Sequence, residues 1–280
     1  MATAINGWIV VTGASTGIGR ASSLRLAQRG YSVLAGIRNA AALEAIREDS
    51  PANLHPIWLD VTRPESIADA KAAVGAAPLA GLINNAGVAM MGPVELVAID
   101  EWREQFEVNV IGLVRVTQAF LPALRLARGR VVNIGSIAGR SPLPGSGPYD
   151  ASKFAIEAIT DSLRMELRAS GVSVSLIEPG AVATPLWQKA LANAKSLRSR
   201  AEPNTYERYA RLMGNLEREA MQSLRKAMPV ERIARVVERA MTARHPKARY
   251  VIGADARMWL SLNLLPDRLR DRLILSELQK

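Results

Sequence analysis

The chain has no cysteine and only two histidines, His55 and His245. That excludes a disulfide framework, a thiolate metal site and a thiol nucleophile, and it speaks against a histidine-built metal centre or triad. Charge of one sign is nowhere concentrated. The net charge is +10, yet the densest basic stretch, residues 189–226, is broken by Glu202, Glu207, Glu217 and Glu219. No basic run with interleaved aromatics tracks a phosphate backbone, so no nucleic-acid partner is expected and the excess reads as a solvated, arginine-rich surface. Long hydrophobic runs are missing too. Met1 to Gly7 carries no basic leader, and Trp8 to Thr12 is too short for a signal peptide or a membrane span, which gives the expectation of a soluble cytoplasmic protein without a transmembrane segment. At 280 residues and 49% hydrophobic, the chain can bury the core of one large α/β domain. Its chemistry must come from oxygen and nitrogen side chains or from a cofactor.

What the sequence does contain is an alternation of apolar runs and helical patterns. Trp8-Ile9-Val10-Val11-Thr12 leads into Gly13-Ala14-Ser15-Thr16-Gly17-Ile18-Gly19 and then a helical pattern to Gly30. A strand, a glycine loop and a helix in that order let backbone amides at a helix N-terminus face a pyrophosphate. The spacing G-x-x-x-G-x-G differs from the commoner dinucleotide fingerprint. Tyr31 to Arg38 reads as the second strand with its turn. An acid expected there for an adenosine ribose is replaced by Ile37 and Arg38; Arg38 either caps the turn or pairs with a 2′-phosphate.

Leu54 to Val61 gives a third strand ending at Asp60, which meets either the adenine or its own loop, and Thr62 with Pro64-Glu65 opens the next helix. Leu79 to Gly87 closes on Asn84, Asn85, Ala86 and Gly87, a turn or a brace for a cofactor loop. A long helix starts near Asp100-Glu101-Trp102 and holds Asn109 in its middle, where a poor helix former points to a local distortion or a water-binding role. Gly129 to Ser136 is the fifth strand and sets Ser136 at its carboxyl end, where open α/β sheets place ligands. Val172 to Ile177 is the sixth, followed by Glu178-Pro179-Gly180, and Arg249 to Gly253 the seventh. Residues 185–228 hold two helical stretches and no strand, long enough to serve as a lid.

Between the fifth and sixth strands, Tyr149 and Lys153 open a helix running to about Ser170, where Gly171 stops it. Four residues apart, they share one helical face. A phenol ionises near pH 10, and a neighbouring ammonium favours its phenolate. Taken alone, the spacing is also that of a buried tyrosine beside a surface lysine.

Together, Thr12-Gly13 with Gly17-Ile18-Gly19, Asn84-Asn85-Ala86-Gly87, Asn109, Ser136, Tyr149 with Lys153, and Pro179-Gly180 with Thr184 resemble the short-chain dehydrogenase/reductase family, in its order and over most of the chain. The resemblance implies a single Rossmann-type domain with a doubly wound, seven-stranded parallel sheet in the order 3-2-1-4-5-6-7 and a helical lid at 185–228. It implies that Tyr149 exchanges a proton with the substrate oxygen, that Lys153 lowers its pKa and holds the nicotinamide ribose, that Ser136 orients the carbonyl, and that Asn109 positions a water. For the cofactor it implies Gly13, Ser15, Thr16, Gly17, Ile18, Gly19, Arg38, Asp60, Val61, Asn85, Ala86, Gly87, Tyr149, Lys153, Pro179, Gly180, Val182 and Thr184. With Arg38 present and Ile37 where users of NAD carry an Asp, the expected cofactor is NADP (NADPH) rather than NAD. No metal is expected.

Asp150-Ala151-Ser152-Lys153-Phe154-Ala155, the Val172–Gly180 run and Pro246-Lys247-Ala248-Arg249-Tyr250 are similar to the retinol and 17β-hydroxysteroid dehydrogenase branch. That branch implies an apolar alcohol or ketone as the small-molecule substrate. Met90, Leu143, Val182, Leu186 and Trp187 line its pocket or are ordinary core and lid residues. The final helical segment, with Met258, Trp259, Leu262, Leu265, Leu269 and Leu273 among arginines and interrupted by Pro266, meets a membrane surface weakly or a partner subunit. The family likeness implies a homodimer or homotetramer. The alternative to an enzyme is an NADP(H)-sensing regulator or scaffold with little turnover.

Overall fold

The computed structural model describes residues 7–278; the expectation for Met1 to Asn6 falls outside the described residues. Seven strands form one parallel sheet in the order β3-β2-β1-β4-β5-β6-β7: β1 (Trp8–Val11), β2 (Ser32–Ile37), β3 (Leu54–Trp58), β4 (Leu79–Asn84), β5 (Arg130–Ile134), β6 (Ser173–Pro179) and β7 (Arg249–Ile252). The implied order is the observed one. The sheet reverses its direction of growth between β1 and β4, which pair at Val10↔Leu82 and Val11↔Ile83, and at this reversal a crevice opens beyond the carboxyl ends.

Strand residues alternate between two cores because successive side chains point to opposite faces. Ile9, Val11, Val33, Ala35 and Val132 join one core with Leu26 of α1 (Gly17–Gln28) and with Ile233 and Val237 of α9 (Val230–Thr242). Val10, Leu34 and Val131 join the other with Ile67 and Val74 of α3 (Pro64–Val74) and Val116, Phe120 and Leu124 of α5 (Gly112–Ala127). Burying such residues is favourable by about 2 kcal/mol each. The α1 and α9 helices are also clamped by Glu238, which pairs with Arg25 and, at 2.8 Å, with Arg29.

The helix α2 (Ala40–Asp49), capped by Asn39 Oδ1 accepting from Ala42 N at 2.9 Å, fills the connection between β2 and β3 that sequence patterning left without an element. The long helix expected from Asp100 is α4 (Ile99–Phe106), a π turn at Glu107–Ile111, and α5. Ile99–Ala127 is long and apolar enough to cross a membrane, and Val108, Val116, Phe120 and Leu124 of it are buried in the second core. The distortion expected at Asn109 is this π turn. The Tyr149 helix is α6 (Gly147–Glu166), followed by a short 3-10 turn at Arg168–Ser170 before Gly171, whose φ is +74°. The 185–228 excursion folds as α7 (Pro185–Arg200) and α8 (Pro203–Arg225), and the C-terminal segment as α10 (Ala254–Leu262) and α11 (Asp267–Leu278).

Candidate active site

A cleft of about 480 Å³ lies at the carboxyl ends of β1, β4 and β5. Its floor is the glycine loop. Gly13 has φ +64°, and a Cβ there would come within 2.8 Å of Ala86 Cα, so the loop and the β4 turn touch backbone to backbone. Two residues lace them together. Asn85 Nδ2 donates to the carbonyls of Thr12 and Gly13, both at 3.0 Å, and Thr12 Oγ1 accepts from the amides of Asn85 and Ala86, both at 3.0 Å. The asparagine that was either a turn or a brace is a brace. Thr16, at the N-cap of α1, makes no side-chain capping bond, and no acid stands in the first turn. The first amides of this helix are therefore left to a ligand, and the positive end of its dipole favours an anion.

Ser15, Thr16, Gly17, Ile18, Arg38, Val61, Asn85, Ala86, Gly87, Pro179, Gly180, Val182 and Thr184 line this cleft with Ser136, Tyr149 and Lys153. Arg38 stands exposed at its rim and Ile37 is fully buried. These residues fit a dinucleotide: a cradle closed to any side chain at Gly13, helix amides without a side-chain cap for a pyrophosphate, and an exposed cation, Arg38, at the rim.

Three expected residues do not line the cleft. Gly19 lies beneath it, where a Cβ would collide with the Gly13 carbonyl and Asn85 Nδ2. Asp60 turns into its own loop: its Oδ1 accepts from Thr62 N at 2.9 Å and Thr62 Oγ1 at 2.8 Å. Burial would raise its pKa, but the Thr62 bonds and the charges of Arg38 and Arg63 hold it below the usual range. Of the two readings of Asp60, the loop cap is observed. Asn109 lies behind the wall, buried in the π turn. Its Oδ1 accepts from Val88 N at 2.8 Å, and its Nδ2 donates to Val88 O and to Ser152 Oγ, both at 3.0 Å. It fixes the segment after Gly87 to the Tyr149 helix.

Tyr149, Lys153 and Ser136 do come together. Lys153 Nζ donates to Ile134 O at 2.9 Å and lies 5.6 Å from the Tyr149 ring centroid. Burial pushes the phenol up to about 12, opposed by a hydrogen bond with Ser136 and reinforced by the charge of Asp150. Burial pulls the Lys153 ammonium down to about 8. The phenol thus moves opposite to the direction the resemblance implies, because desolvation penalises the phenolate more than the hydrogen bond favours it.

A second, larger cavity of about 1210 Å³ adjoins the cleft, and Ser136, Tyr149, Gly180 and Trp187 line both. Trp187 stands edge-on to Tyr149, with centroids 5.8 Å apart and planes at 64°. Of the five pocket candidates, Leu143 and Trp187 reach this cavity, whereas Met90, Val182 and Leu186 face the cleft. The α8 helix roofs it with Met213, Leu216 and Ala220. Sequence reasoning missed the far wall: Met258, Trp259, Leu262 and Leu273 of the C-terminal helices face this cavity. Their apolar helical spacing was visible, but nothing local said which surface it would meet. Ser141 Oγ donates to Trp259 O at 3.2 Å and to Asn263 Oδ1 at 3.0 Å, which ties that wall to the loop before α6.

Comparison with known proteins agrees with this geometry. The family described as short chain dehydrogenase matches residues 7–195. Mouse (Mus musculus) retinol dehydrogenase 5 is 36% identical over 97% of this chain and 88% of its own length. An NADPH-dependent 3-dehydrocapnine reductase of Ornithobacterium rhinotracheale is 35% identical over 98% of both chains. Among solved structures, a short-chain dehydrogenase from Streptomyces avermitilis superposes with a TM-score of 0.77 at 29% identity, over 97% of this chain and 96% of that one. The chain is therefore a member of the short-chain dehydrogenase/reductase family, an oxidoreductase of CH–OH groups on the branch of the retinol and 17β-hydroxysteroid dehydrogenases.

Proposed function

We propose that this enzyme uses NADP(H) to interconvert an apolar alcohol with its ketone or aldehyde. The observation that carries the reading is that Tyr149 and Ser136 line both the dinucleotide cleft and the largely apolar cavity, so one pair of hydroxyls serves the junction of two ligands. The bound nicotinamide supplies or accepts the hydride. Tyr149 gives its proton to the substrate oxygen in reduction and takes it back in oxidation. Ser136 donates to the same oxygen, so the charge developing there meets two hydroxyls already fixed in place. Lys153 is assigned to the nicotinamide ribose and to the charge state of Tyr149. Asn109 holds Val88 and Ser152 in register with them, and a water on this residue remains part of the proposal.

NADP is favoured over NAD by Arg38 at the rim and by Ile37 where a carboxylate would repel a phosphate; a relative named NADPH-dependent supports it. An apolar substrate is favoured by Leu143, Trp187, Met213, Leu216, Met258 and Trp259 around the cavity and by a retinol dehydrogenase relative. We further propose a cytoplasmic homodimer or homotetramer, supported by the exposed Phe154 and Met165 on α6. Weak contact of the C-terminal helices with a membrane surface is supported by the exposed Leu264 and Leu269 beside Arg268. NADPH oxidation against a panel of medium-chain and long-chain ketones and aldehydes tests the reading. Turnover faster than with NADH supports it; cofactor binding without turnover of any carbonyl favours the sensor or scaffold instead.

A further inference from the structure

Apolar residues do not account for all of the larger cavity. Asp150 follows Tyr149 on α6, is 4% exposed and lines this cavity. Its Oδ2 accepts from Ser146 Oγ at 2.5 Å and from Leu143 N at 2.8 Å. Its Oδ1 accepts no hydrogen bond among the described residues. The polar side-chain atoms sealed in the interior without a partner lie elsewhere, at Ser22, Asn84, Glu157, Arg164 and Glu178, so Oδ1 opens on the cavity. A carboxyl oxygen open on a largely apolar cavity is placed to accept from a donor on the ligand.

The charge of the wall says which donor. The chain as a whole carries +10, yet apart from the pair of Glu217 and Lys195 the cavity is lined by Asp150, Glu207, Glu219 and Asp255 against Arg198 among the described residues. Lys195 is already spent on Glu217 at 2.6 Å. A hydroxyl would satisfy Oδ1 equally well, but only a cation answers the surplus of acids. On α7, Trp187, Ala190, Leu191 and Ala194 form one apolar face of the cavity that ends at Arg198, a run of roughly 16 Å at helical rise.

Resting on the assignment of this cavity to the substrate, we propose that the substrate is an amphiphile with a cationic amine close to the reacting oxygen-bearing carbon. Asp150 Oδ1 accepts a hydrogen bond from that ammonium, and an apolar chain runs along α7. Asp150 is thus a specificity residue that touches the substrate and takes no part in hydride or proton transfer. No bond is made or broken by it.

The test is a binding comparison of decylamine with 1-decanol on the full-length protein, read by intrinsic tryptophan fluorescence, because Trp187 and Trp259 both line the cavity. At pH 8 the wild-type protein is expected to bind decylamine at least tenfold more tightly than decanol, and Asp150→Asn to bind the two alike. A second measurement needs no variant. Burial raises the Asp150 carboxyl to about 7, against the bonds from Ser146 and Leu143; at pH 5.5 it is protonated while the amine keeps its charge, so the preference should shrink severalfold. Glu157, also raised to about 7, does not line the cavity. Equal affinities in the wild-type protein at pH 8, or a preference that survives both Asp150→Asn and pH 5.5, would overturn the proposal. The readout is binding, so a failure here is distinct from a failure of any carbonyl to be reduced, which would sink the reductase reading instead.

Discussion

Lys153 Nζ donates to the Ile134 carbonyl at 2.9 Å while lying 5.6 Å from the centroid of the Tyr149 ring. One buried ammonium is thereby anchored to the end of β5 and faces the phenol one helical turn before it. Lys153→Met removes both the anchor and the charge, and reduction by NADPH is expected to fall by about 100-fold or more. Comparable loss with Lys153→Arg would show that geometry matters beyond charge, whereas unchanged kcat in Lys153→Met would remove this residue from the mechanism.

The same burial sets a pH dependence with a definite sign. A phenol pushed up to about 12 stays protonated at neutral pH and is ready to donate in reduction. Oxidation needs the phenolate, whose fraction grows about tenfold per pH unit below the pKa. Alcohol oxidation should therefore rise steadily between pH 7 and 10 while carbonyl reduction stays flat near neutrality. Profiles of kcat/KM in both directions check this; an oxidation rate indifferent to pH would contradict it.

Arg38 makes no ion pair among the described residues and stands exposed at the cleft rim, acting on Asp60 by charge alone. Arg38→Ala should raise the KM for NADPH tenfold or more and change that for NADH less than about twofold. Equal changes for the two cofactors would refute the assignment.

Much of this is legible in the sequence because the signals are local. The strand, glycine loop and helix at Trp8 to Gln28 follow from turn chemistry and periodicity, and Asn109, a poor helix former in an apolar helix, signals either a local distortion or a water site, of which the structure shows the distortion. Asp60 was harder, since a carboxylate at a strand end reads the same whether it faces a ligand or, as here, Thr62. The wall formed by Trp259 and Leu262 was harder still. An apolar helical stripe says that something covers it, and only tertiary placement beside Ser141 says what. Burial also decided the phenol's pKa, and a four-residue spacing contains no information about burial.

A second charge cluster sits farther along α6. Glu157 Oε2 accepts from Arg249 at 3.0 and 3.2 Å, and Arg249 also reaches Asp161 at 2.6 Å. Glu178, fully buried, lies 3.5 Å from Arg140 and 3.9 Å from Arg249. Burial, then the charge of Glu178, raises Glu157 to about 7 in spite of Arg249. The folded state therefore holds a proton that the unfolded chain has released above its ordinary pKa near 4.5, so stability is greatest at the acidic side of that window and declines as pH rises through about 7. Thermal unfolding at pH 5 and pH 8 should show this decline in the wild-type protein and a smaller one in Glu157→Gln; identical pH dependences would exclude Glu157 as its source.

In the proposed reaction the Tyr149 hydroxyl moves the proton, with Ser136 meeting the charge on the substrate oxygen and Lys153 acting on the charge state of the phenol. Tyr149→Phe keeps the ring against Trp187 and removes one oxygen. With a ketone that the wild-type protein reduces, the rate of NADPH oxidation should fall by about a thousandfold or more while NADPH binding, followed by fluorescence titration, stays within twofold. A Tyr149→Phe protein that turns over at the wild-type rate would contradict the account.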